Sequence, residues 1–263
     1  MERNRENANQ SRMREIISEF RGTDGEHELK QTKRRERAGH IRLANAFGKS
    51  SKRFSDELSP VEKYDLYALR LRKVSYGLDN IQEFIDASDL KADPTNLGIF
   101  ISAAINKVMG EDDMLELNAR FFELNWLGMR LPRGTLILNG DLGIGAAYLM
   151  LGGEFTVKGN AGMRAGEGIS GGNFLVIGNV GSFAAKDMTG GAMITDGNAG
   201  PEAANHMGGN AVFLIHGNAG VRAGAFMNGG TLLIGGEPDE MLGEDRTGGR
   251  IFVKGREIYL GEH

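Results

Sequence analysis

Hydrophobic positions along the chain keep two rhythms, and the change between them divides the molecule. Pro60 is suited to the first turn of a helix, and Tyr64, Tyr67, Ala68, Leu71, Val74 and Leu78 come after it at three- and four-residue spacing. After Asp93-Pro94-Thr95, the set Leu97, Phe100, Ile101, Ala104, Ile105 and Val108 makes a second amphipathic stripe, which Gly110 ends. Met114, Leu117, Phe121 and Leu124 predict a third helix, closed by Trp126 and Leu127. Three short helices with apolar faces cannot hide those faces alone, so they are expected to pack on the second half of the chain.

Beyond residue 131 the period changes to about nineteen. A column of glycines runs Gly140, Gly159, Gly178, Gly197, Gly217, Gly236 and Gly255, and Gly-Gly pairs begin at Gly152, Gly171, Gly190, Gly208, Gly229 and Gly248. Four residues before each column glycine stand Leu136, Phe155, Phe174, Met193, Phe213, Leu232 and Ile251. Two residues before it stand Leu138, Val157, Val176, Thr195, Ile215, Ile234 and Val253. A spacing of two puts both columns on one face of a strand. The residue just before the glycine is mostly polar (Asn139, Lys158, Asp196, His216 and Lys254), which fits an outward position.

After the column glycine come Asp141, Asn160, Asn179, Asn198 and Asn218. Asn tolerates left-handed backbone, and its amide can bond its copy in the next coil, so these five predict a turn with a side-chain ladder. Three residues past the column glycine is another glycine, and three further on is always alanine: Ala146, Ala165, Ala184, Ala203 and Ala223. That column predicts a narrow inner corner. No single repeat can bury its apolar face, whereas about seven stacked coils can. The expected fold is mainly β: a right-handed parallel β-helix over 131–263, because the six-residue period of the left-handed hexapeptide form is missing. A helical segment over 56–130 precedes it.

The repeated Gly-Asn-Ala-Gly (159–162, 197–200, 217–220), Gly-Asn-Val-Gly at 178–181 and the Met-x-Gly-Gly corners resemble the glycine-repeat (GXGXG) domain. That domain forms the C-terminal β-helix of the glutamate synthase large subunit, stand-alone proteins of glutamate-synthase type, and one subunit of formylmethanofuran dehydrogenase. The resemblance covers about residues 131–263. The closing stretch 248–261 looks more like the glutamate-synthase-type stand-alone proteins. In these families the β-helix is architectural. The resemblance implies a non-catalytic scaffold subunit of a redox complex, with no cofactor on this chain and flavin or iron–sulfur clusters on partner subunits. A formylmethanofuran dehydrogenase-like scaffold is the alternative within the family.

Composition adds exclusions. The 263 residues contain no cysteine, which removes disulfides, thiolate nucleophiles and cysteine-held clusters or zinc. No apolar run reaches the length of a spanning helix, and the charged start does not read as a secretory signal, so the expected setting is cytoplasmic. Of 40 glycines, 32 lie after residue 130. Charge also divides: residues 1–55 hold 14 Lys/Arg against 8 Asp/Glu, while the remainder holds 17 against 27. The first 55 residues therefore read as a mostly disordered basic tail, with a short helix around residues 12–20 and a cluster at Lys33, Arg34, Arg35 and Arg37. That cluster suits docking to a protein partner better than to nucleic acid, since no aromatic residues interleave it.

Candidate chemistry is sparse. The glycine turns recur at coil spacing and lead into further strands, unlike a dinucleotide fingerprint. None of His27, His40, His206, His216 and His263 pairs at metal-ligand spacing. A stand-alone acyltransferase or hydrolase would need His206 or His216 as general base. Glu237, Asp239, Glu240, Glu244 and Asp245 crowd one coil and form either a solvated loop or a dock for a basic partner.

Overall fold

The computed structural model describes residues 38–50, 57–87, 93–118 and 124–259. The expected helix around 12–20 and the basic cluster at 33–37 lie outside the described residues. Helix α1 (residues 38–50) falls within the stretch expected as the tail, with Leu43 fully buried and Ala46 6% exposed.

Helix α2 (Pro60–Leu71) starts on a reciprocal cap: Ser59 Oγ accepts from the Glu62 amide at 3.3 Å, and the Glu62 carboxylate accepts from the Ser59 amide at 2.8 Å. It stops before Val74 and Leu78, although both continue its periodicity. Lys107 ends it by donating from Nζ to the carbonyls of Leu71, at 2.8 Å, and Val74. Helix α3 (Asp79–Ala87), which the spacing does not predict, buries Ile81, Phe84 and Ile85. Helix α4 (Pro94–Val108) begins where Asp93 Oδ1 accepts from the Asn96 amide at 2.9 Å, and its stripe is buried as expected. Phe100 of α4 sits 5.2 Å from the rings of Phe47 and Tyr67 and 5.5 Å from Phe84, so one aromatic cluster joins all four helices.

The expected third helix is instead strand β1 (Met114–Asn118). Leu115 and Leu117 point inward and Met114 outward, with 65% exposure, so the alternation of two governs here. Eight parallel strands stack in chain order, seven turns separating first from last: β1, β2 (Thr135–Asn139), β3 (Glu154–Lys158), β4 (Asn173–Val176), β5 (Ala192–Thr195), β6 (Val212–Ile215), β7 (Asn228–Ile234) and β8 (Gly248–Val253). A short antiparallel β9 (Arg256–Ile258) folds back on β8, held by Arg250 and Glu257 at 2.9 and 3.0 Å, and covers that edge of the sheet. The architecture is a mainly β parallel solenoid preceded by four helices.

The strand register matches the sequence columns: Leu136, Phe155, Phe174, Met193, Phe213, Leu232 and Ile251 stand in line and are buried. Thr195, the polar member of the second column, is fully buried and donates from Oγ1 to the Gly178 carbonyl at 2.6 Å. A second side of the coil is a line of single bridges, Leu124–Leu142–Ala161–Val180–Ala199–Ala219–Pro238. The third side alternates residues of positive φ, such as Phe183, Ala185 and Asp187, or Glu202, Ala204 and His206 in the next coil. The helices stack on the first coil: Ser102 Oγ donates to the Trp126 carbonyl at 2.9 Å, and Asn106 Nδ2 to those of Met129 and Arg130 at 2.9 and 3.0 Å.

Candidate functional site

The five turn residues stand directly above one another, but the bond joining them is not the one their amides suggest. Asp141 Oδ1 accepts from the backbone N–H of Asn160 at 2.6 Å. Asn160, Asn179 and Asn198 each accept in the same way from the amide one coil on, at 2.9, 2.8 and 2.8 Å. Asn218 accepts from the amide of Glu237 at 2.9 Å, so the ladder reaches the acidic coil. Direct amide-to-side-chain bonds supplement it at Asn160 and Asn179, both 3.2 Å. None of the five has positive φ, so left-handed backbone is not why they are there. Glycine precedes them because the coils approach too closely for a side chain: a Cβ on Gly159 would lie 2.5 Å from the Gly140 carbonyl oxygen.

The alanine column is equally structural. Ala146, Ala165, Ala184, Ala203 and Ala223 are at most 1% exposed, and each carbonyl accepts from an amide of the next coil at 2.7–2.8 Å. These ten positions hold coil to coil.

Among the described residues, His40, His206 and His216 have separate partners. His216 Nδ1 lies 3.0 Å from Asp196 Oδ1 across adjacent coils, with 53% and 49% of the two side chains exposed. A base with its orienting carboxylate is part of a catalytic relay, but on an open sheet face water competes for both. His206 sits edge-on to Phe226 at 5.0 Å. His40 faces Glu83 at 3.3 Å beside the helices, and His27 and His263 lie outside the described residues. Among the described residues, no three His, Asp or Glu side chains come together as a metal site. In the acidic coil, Glu244 pairs with Arg222 at 2.9 Å and Glu237 with Lys254, which leaves Asp239, Glu240 and Asp245 facing outward.

A concavity lies on the helices. A groove of about 1130 Å³ between α1 and α2 is lined by Arg42, Lys49, Arg70 and Lys73, by the polar Asn45, Ser50 and Ser75, and by Ala46, Leu66, Leu69 and Val74. Among the described residues, four cations and no carboxylate line it. Arg42 braces one wall by donating to the Ser75 carbonyl at 3.1 Å. Helix α2 turns Tyr64, Tyr67 and Leu71 to the core, yet leaves Leu66 39% and Leu69 59% exposed on the groove side. Beneath Val74, partial burial draws the Lys107 ammonium below the usual lysine range, and its hydrogen bonds neutralise the carbonyl end of α2. A concave wall of cations around exposed leucines fits an acidic segment that also carries apolar side chains. Sequence reasoning misses these residues because it places Arg42 and Lys49 within the basic tail. Their seven-residue spacing on one helix, and the three-residue spacing of Arg70 and Lys73 on another, are the available signal.

Comparison with protein-family models finds no match to this chain, and no curated protein matches it in sequence. No helix among the described residues is long and apolar enough to cross a membrane.

Proposed function

We propose that this chain is a non-catalytic scaffold subunit of a cytoplasmic redox complex of glutamate-synthase type, holding partner subunits that carry flavin or iron–sulfur chemistry. The observation that carries the reading is the employment of the polar columns. The Asp/Asn side chains that a glycine-rich turn could offer to a ligand are engaged in binding the next coil, from Asp141 through Asn218. The resemblance of the registered Gly-Asn-Ala-Gly turns to the glycine-repeat domain supplies the type of complex. The groove lined by Arg42, Lys49, Arg70 and Lys73 supplies a dock for an acidic surface on a partner.

Affinity isolation of the tagged chain from its own cells, with mass spectrometry of the copurifying proteins, tests the reading. Flavin-bearing, amidotransferase or ferredoxin-like subunits are expected. Molybdopterin or tungsten subunits would transfer the scaffold to a formylmethanofuran dehydrogenase-like complex. Recovery of the chain without any redox subunit would refute it.

A further inference from the structure

The inward columns account for only half of each strand. The residue between them faces outward, and it too is apolar in six of the seven coils from β2 to β8: Ile137, Leu175, Ile194, Leu214, Leu233 and Phe252, with Thr156 the exception. Ile177 and Val212, at 46% and 37% exposure, widen the stripe on either side. A parallel sheet is ordinarily covered on both faces. Among the described residues, the helices stack on the first coil and not across this face.

We propose that this sheet face is the interface of a homodimer, in which two copies pack face to face about a two-fold axis parallel to the direction of coil stacking. Size is the first argument. The seven strands β2 to β8, at about 4.8 Å and about 16 Å of strand length, give a face of roughly 540 Å², close to the low end of what each copy buries in a specific dimer. The second argument is the state of the charges at the rim. Lys158 pairs with Glu116 at 3.3 Å, His216 with Asp196 at 3.0 Å, Arg250 with Glu257 at 2.9 Å, and Lys254 with Glu237, so closing the face strands none of these charges.

The third argument selects the operator. A two-fold along the stacking direction turns each strand end for end against its copy, so the first residue of a strand meets the fifth. In β3 these are Glu154 and Lys158. Glu154 of each copy then faces Lys158 of the other, giving two symmetric pairs of opposite charge. The same operator sets Arg250 against Lys254 in β8 and Glu116 against its copy in β1, each offset by its own in-chain partner (Glu257, Glu237 and Lys158), while the apolar central residues of the other strands pack on themselves. The inference stands independently of the scaffold reading, since it concerns the chain's own association.

Sedimentation equilibrium of the purified full chain tests it. A monomer–dimer equilibrium is expected, with Leu214→Glu raising the dissociation constant at least about tenfold. Ile41→Glu, on the exposed side of α1 and outside the groove, should leave the constant unchanged. Thermal melts monitored by circular dichroism establish that each variant is folded. Glu154→Lys and Lys158→Glu should each weaken association alone, and an equimolar mixture of the two should recover it, because every cross-copy pair is again of opposite sign. A wild-type chain that stays monomeric at every concentration overturns the proposal, as does a dimer indifferent to Leu214→Glu. A mixture no tighter than either variant alone overturns it too.

Discussion

Replacing Gly178 with alanine puts the stacking geometry itself under test. An alanine Cβ there would lie 2.4 Å from the Gly159 carbonyl oxygen, 2.8 Å from the Gly159 carbonyl carbon and 3.0 Å from Asn160 Oδ1. Two of the three obstacles are backbone of the preceding coil, which cannot swing aside as a side chain can. Restoring ordinary contact requires opening the two coils by about 1 Å. That movement stretches Ile177 N–H to Val157 O, Asn179 N–H to Asn160 Oδ1 and Ala161 N–H to Asn179 O, now at 2.8, 2.9 and 2.9 Å, beyond hydrogen-bonding range. At about 1 kcal/mol net for each bond, the expected loss is about 3 kcal/mol, in line with overpacking of a close-packed interior. The urea midpoint should fall with little change in slope, and the melting temperature should drop by roughly 6–12 °C. Gly48, in α1, has nothing within 4 Å of the position an alanine Cβ would take. Gly48→Ala should therefore stabilise, by about 0.5–1 kcal/mol, through helix propensity. If both substitutions shifted stability in the same direction, or if Gly178→Ala fell within about 0.5 kcal/mol of wild type, the close-approach argument would be refuted.

Asn179→Leu removes the acceptor for the Asn198 amide and the 3.2 Å bond to Asn160, for an expected loss of about 1–2 kcal/mol in urea unfolding; an unchanged midpoint would count against the ladder. The Glu62 carboxyl is held below its ordinary value by hydrogen bonds from the Ser59 hydroxyl and amide. Its stabilisation is thus complete above the unfolded-state value and is lost as pH falls through the lower folded-state value, so Glu62→Gln should flatten the acid limb of a stability–pH curve. Arg70→Glu with Lys73→Glu should weaken partner capture at least about tenfold and reduce its salt sensitivity, with melting temperature nearly constant; retained binding would remove the groove from the interface. His216→Ala should leave the activity of the assembled complex intact, measured as turnover of the copurified enzyme, because the imidazole serves as a pairing contact to Asp196 between adjacent coils.

The solenoid is legible because period and chemistry agree: the inward columns recur every nineteen residues or so with the same polarity, and stacking is the arrangement that buries them together. Strand β1 is obscured because Met114, Leu117 and Leu124 also satisfy a helical spacing, and no Gly-Gly corner marks the coil. The inward pair is Leu115 and Leu117, one residue out of phase with that helix reading. The Asn turns suggest left-handed backbone, yet it occurs instead at Arg164, Phe183, Glu202 and Arg222, a mixed set of cationic, aromatic and acidic side chains. There the conformation is imposed by hydrogen bonds to neighbouring coils, as in Phe183 N–H to Pro201 O at 2.9 Å and Ala185 N–H to Ala165 O at 2.8 Å, and local preference gives no sign of it. The outward apolar column is present in the sequence but masked by the stronger inward pair on each side of it. The basic groove is tertiary in origin: Arg42 and Lys73 are far apart in the chain, and only the packing of α1 on α2 brings them to one concavity.

The most direct test of a scaffold without chemistry of its own is the absorption spectrum and subunit composition of the assembly isolated through this chain, followed by separation of its subunits. The account predicts flavin or iron–sulfur absorbance that stays with other polypeptides, while the separated chain is colourless and catalytically silent. A chain that emerges alone and hydrolyses or transfers acyl groups, with that activity abolished by His216→Ala, would contradict it.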